Sequence, residues 1–87
     1  MILDGRTIPD RQVLHETLAR SLSFPDWYGG NLDALSDCLT SLSQDTTLIL
    51  RHTDALETAL GPYVQRFLRV LNAAEAETPR LTLRLEP

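Results

Sequence analysis

The chain has no lysine, and all eight of its cations are arginine. This reads as a bias of genomic composition with no function attached. It has one cysteine, Cys38, so no disulfide can form within the chain and nothing points to an oxidising compartment. No apolar run approaches the roughly 18 residues of a membrane span, and Met1 leads into Ile2 and Leu3 without the basic stretch and apolar core of a secretion signal. The expected location is the cytosol, with no membrane partner. Cations are missing altogether between Arg20 and Arg51, an interval that holds Asp26, Asp33, Asp37 and Asp45. With a formal net charge of −4, the chain lacks the positive surface that displaces counterions from phosphates, which argues against general binding to nucleic acid. A basic partner fits this charge distribution better.

What is present suits one small soluble domain spanning residues 1–87. Hydrophobic residues make up 43% and charged residues 23% of the chain, an ordinary globular composition. A domain of this size buries roughly 60 to 65% of the surface that its unfolded chain exposes, so a deep catalytic cavity is not expected.

Hydrophobic spacing gives the elements. Met1 to Leu3 reads as a short strand closed by a turn at Asp4-Gly5. From Asp10, the recurrence of Val13, Leu14, Leu18 and Leu22 predicts a first helix that stops at Phe24-Pro25. Asn31 is a good N-cap, and Leu32, Leu35, Leu39 and Leu42 predict a second helix after it. Thr46 to Leu50 is a continuous run of strand length, the pattern of a strand covered on both faces. Asp54 to Leu60 predicts a short helix, ended by Gly61, with Pro62 at the first position of another. Val64, Phe67, Leu68, Leu71 and Ala74 give that last helix its apolar face until Thr78-Pro79. Leu81, Leu83 and Leu85 then alternate with Thr82 and Arg84 as a half-exposed strand does. Strands joined by helical connections of this length favour a parallel sheet, so the expected fold is a three-stranded α/β layer protein.

The segment from Pro25 to Thr40, PDWYGGNLDALSDCLT, holds the chemistry. At about 100° per residue, Leu35, Cys38, Leu39 and Leu42 fall on one side of the second helix, and Asp33, Ser36, Asp37 and Thr40 on the other. A solvated polar face is the plain explanation. Against it stand the absence of a paired cation within the segment, the repulsion of Asp33 and Asp37 at i,i+4, and the aromatic pair Trp27-Tyr28 just ahead of the helix. Together these resemble a binding surface, although Trp27 could also pack against the first helix.

This segment resembles the signature of the barstar family, small cytosolic inhibitors of barnase-type secreted ribonucleases. Tyr28-Gly29, Asn31 to Leu35 and Asp37 to Thr40 carry the resemblance. It extends more weakly to Leu14-His15, Thr17-Leu18 and Leu81 to Leu83. It implies a three-stranded parallel sheet flanked by about four helices, no cofactor and no catalysis. It further implies that Asp37 enters the nuclease active site in place of a substrate phosphate, that Asp33 pairs with an arginine at the rim, and that Trp27 lies over the catalytic histidine. Gly30, Asn31, Ser36 and Thr40 would contact the cleft. Three positions depart from the best-known member: Ser36 replaces a tryptophan, Gly30 a glutamate, and Ala73 a contact glutamate in the last helix, though Glu77 one turn on matches.

The implied partner is a basic extracellular ribonuclease or another nuclease toxin, held in a 1:1 complex by a chain that is monomeric when free. An acidic module docking a non-enzymatic basic protein is the rival from another class. A hydrolytic pair of Asp33 and Asp37 would need a cleft that splits their pKa values. A Ca²⁺ site would need closely spaced oxygen ligands that the loop lacks. His15 and His52 have no cysteine or histidine at ligand spacing and read as structural. Cys38 faces the core, where it acts as a small hydrophobe.

Overall fold

The computed structural model describes residues 1–86. It contains β1 (Ile2–Asp4), α1 (Arg11–Leu22), α2 (Leu32–Thr40), β2 (Thr46–Arg51), α3 (Thr53–Leu60), α4 (Tyr63–Glu77) and β3 (Leu81–Glu86), with a single 3₁₀ turn at Gly5–Thr7. The strands form one parallel sheet in the order β1-β2-β3, with Ile2 opposite Ile49 and Leu48 opposite Leu83. The expected α/β fold is therefore present.

Local chemistry sets the helix ends. Asp10 accepts a 2.9 Å bond from the Val13 N–H and Asn31 a 2.8 Å bond from the Ala34 N–H, each satisfying a donor that the first helical turn leaves free. Gly61 ends α3 at φ 63°. Pro62 then sits just outside α4, which begins at Tyr63, one residue later than expected.

All four helices feed one core. Leu3, Leu48, Leu50 and Leu81 from the inner sheet face meet Leu14 and Leu18 of α1, Leu35 and Leu39 of α2, Leu56 of α3, and Val64, Phe67, Leu71 and Ala74 of α4. Each fully buried leucine or phenylalanine contributes about 1.5 to 3 kcal/mol relative to exposure.

Two expectations are corrected. Strand β2 is central in the sheet but is covered on one side only: Thr47, Thr82 and Arg84 are exposed on the outer face, Ile49 is half-buried, and Ile2 is 51% exposed. Threonine and isoleucine suit a pleated surface whether wet or dry, so the run from Thr46 to Leu50 could not reveal which side is covered. The second helix stops at Thr40, short of Leu42. The Ser41 N–H bonds to the Cys38 carbonyl at 3.3 Å, a three-residue closure that tightens the last turn, and Leu42 packs against the core from the following loop.

Candidate functional site: the acidic face of α2

Because Leu35, Cys38 and Leu39 are buried, the opposite side of α2 is turned to solvent, with Asp33, Asp37 and Thr40 exposed and Ser36 half-buried. Five expected site residues thus lie on one short helix or at its cap. Asn31 spends its side-chain oxygen on the cap, and the Thr40 hydroxyl donates back to the Ser36 carbonyl at 2.9 Å. Neither Asp33 nor Asp37 has an ion-pair partner among the described residues. Asp33 stands in the first turn, where the helix dipole favours a negative charge; Asp37 lies beyond that help.

The loop leading into α2 presents an aromatic side chain. Trp27 is 65% exposed, with Leu22 at the end of α1 bordering the same shallow depression. Its neighbour Tyr28 is anchored instead. The Tyr28 ring lies 4.9 Å from Phe24, centre to centre, and its hydroxyl bonds to His15 Nδ1. His15 Nε2 bonds in turn to the Tyr63 hydroxyl at 2.7 Å. A neutral imidazole has one N–H and one bare nitrogen, so it donates to one tyrosine oxygen and accepts from the other hydroxyl. Burial pushes the His15 pKa down and the Tyr28 pKa up, which keeps both groups neutral. The loop is thus pinned to α1 and α4 through Tyr28 while Trp27 projects. Gly30, at φ 69°, makes the left-handed bend into the helix. A glutamate there would be strained in this geometry.

Glu77 is exposed at the last position of α4, a helix that packs on α2. No hydrogen bond or ion pair among the described residues joins it to the acidic face.

Sequence reasoning missed two contributions. The His15–Tyr28–Tyr63 network supports the loop, and its only trace in sequence is a histidine beside an apolar stripe. Arg66 of α4 lies with Leu32, Asp33 and Tyr63 around a depression of about 270 Å³, so the cation-free segment has a cation nearby in space. No metal-binding cluster occurs among the described residues.

The chain is thus a small α/β layer domain that presents an acidic helix face, unpaired among the described residues, beside an exposed tryptophan. The family model described as "Barstar (barnase inhibitor)" matches residues 1–86, and the chain belongs to that family. It is also 44% identical over 78 residues to a Bacillus subtilis (strain 168) protein named "Putative ribonuclease inhibitor YrdF", covering 88% of this chain and 86% of the relative.

Proposed function

We propose that the chain is a ribonuclease inhibitor that occupies the active site of a basic secreted nuclease with the outer face of α2, as a 1:1 complex formed by a cytosolic monomer. The observation that carries this reading is the unpaired, exposed pair Asp33 and Asp37 on a helix whose other face is locked in the core. Asp37, further along the helix, takes the place of a substrate phosphate among the nuclease's cations. A carboxylate meeting arginine in a desolvated cleft accepts paired, charge-assisted bonds that a solvated carboxylate does not. Asp33 pairs at the rim, and Trp27 offers a flat apolar ring to an imidazole. Gly30, Asn31, Ser36 and Thr40 border the contact, and Glu77 adds charge from α4. Inhibition here is occupation of the substrate's place, without catalysis by the chain and without a cofactor. Ser36 supplies little contact area, so the interface lacks the one large contact that a tryptophan there would add.

An RNA-cleavage assay with barnase tests the proposal. Equimolar wild-type chain is expected to abolish cleavage. Asp37→Ala should weaken binding by on the order of 2 kcal/mol, about thirtyfold; a barstar aspartate is itself a reference case for losses of this kind. Cleavage that continues unchanged with excess chain would leave the acidic docking module as the better reading.

A further inference from the structure

Beside the acidic face stands a cationic feature that the reading of α2 does not use. Arg11, the first residue of α1, places its guanidinium carbon 4.3 Å from the centre of the Tyr63 ring, and Arg66 of α4 places its own at 5.2 Å from the same centre. Tyr63 is buried and its hydroxyl is held by His15, so the ring is a fixed platform. Stacking on a ring engages the face of a guanidinium and leaves its N–H edges free to donate. Among the described residues, Arg6, Arg51, Arg80 and Arg84 each hold a carboxylate, whereas Arg11, Arg20, Arg66 and Arg69 hold none; of these four, Arg11 and Arg66 share the Tyr63 ring. Arg66 borders the same depression as Asp33 without pairing with it. Two exposed like charges against one ring repel, and an incoming anion would offset that repulsion.

Resting on the reading of α2 as the nuclease-binding face, we propose that Arg11 and Arg66 form a cationic rim that receives a carboxylate of the nuclease, an aspartate or glutamate bordering its basic cleft. The planar fork of each guanidinium matches the two oxygens of such a group. The binding surface is then bipolar. A nuclease with the carboxylate gains a contact, and one presenting a cation there is repelled, so the rim selects among basic nucleases.

The sign of one effect tests this. Attraction between an acidic inhibitor and a basic nuclease grows when the inhibitor loses a cation, so without a facing carboxylate Arg66→Ala and Arg11→Ala would bind as well as wild type or better. The rim predicts the opposite. Against barnase, each variant should raise Kd roughly threefold to tenfold, and Arg66→Glu should raise it further. A double-mutant cycle should then find a barnase carboxylate whose loss is not additive with Arg66→Ala. Far-UV circular dichroism of each variant checks that the fold is intact, and Arg66→Lys, which keeps the charge and loses the fork, should fall between wild type and alanine. Unchanged or tighter binding by Arg66→Ala, with Asp37→Ala still losing affinity, overturns the rim and leaves the α2 reading standing. A wild-type chain that does not bind barnase overturns both.

Discussion

Asp37 is a side chain that the free domain does not need. It is exposed, makes no ion pair or side-chain hydrogen bond among the described residues, and sits at i+4 from Asp33. Alanine there removes a like-charge pair and improves helix propensity, so Asp37→Ala should stabilise the free domain by roughly 0.5 to 1 kcal/mol. Urea unfolding at neutral pH reads this as a higher midpoint; a lower one would give Asp37 a structural role. His15 is the reverse case, kept for the fold. Its folded pKa lies below the ordinary histidine value because burial disfavours the charged ring. The unfolded chain therefore binds more protons once pH drops below about 6.5, and stability falls with pH from there toward the lowered folded value. The urea midpoint should decline between about pH 7 and 5.5, and decline less in His15→Gln, which can still donate and accept. Equal declines would show that His15 does not carry the effect. The residues of the acidic face were legible from spacing and resemblance. The partners of His15 were not, since its bonds reach 13 and 48 residues along the chain and leave no periodic trace.

At the scale of elements, α2 is a nine-residue helix whose direction decides where both aspartates point. So short a helix is marginal alone and depends on its buried face and its cap. Asn31→Ala should cost about 1 kcal/mol, with Asn31→Asp close to wild type, because either native or aspartate oxygen can accept from the Ala34 N–H. Thermal or urea unfolding of the pair checks this, and an unaffected alanine variant would mean that packing alone fixes the helix start. Most elements could be read in advance because apolar period and end signals coincide: Asn31 caps the helix it was expected to cap, and Asp10, from which the first apolar recurrence was read, caps α1. The end of α2 could not, since Leu42 continues the helical spacing and packs against the core from a loop. The covered side of β2 was equally hidden, because the packing of four helices into one cluster, rather than the strand's own sequence, leaves the outer sheet face open.

Over the whole molecule, the ion pairs among the described residues lie outside α2. The ion pair Arg51–Glu86 ties strands β2 and β3 together at one end of the sheet, and Arg84 approaches the same carboxylate from within β3, while α2 holds two carboxylates with no such partner among the described residues. The sequence showed the cation-free interval, but the approach of Arg66 to Asp33 required the packing of α4 on α2. A field of this kind draws in a basic protein before contact, and the barnase–barstar pair is itself a reference case, from which the expectation carries over. Salt screens attraction between exposed charges over a distance of about 10 Å at 0.1 M. The most direct test of the acidic face as the recognition surface is stopped-flow association of the chain with barnase at increasing ionic strength. The account predicts an association rate constant that falls steeply as salt is added; a rate constant independent of salt would contradict it.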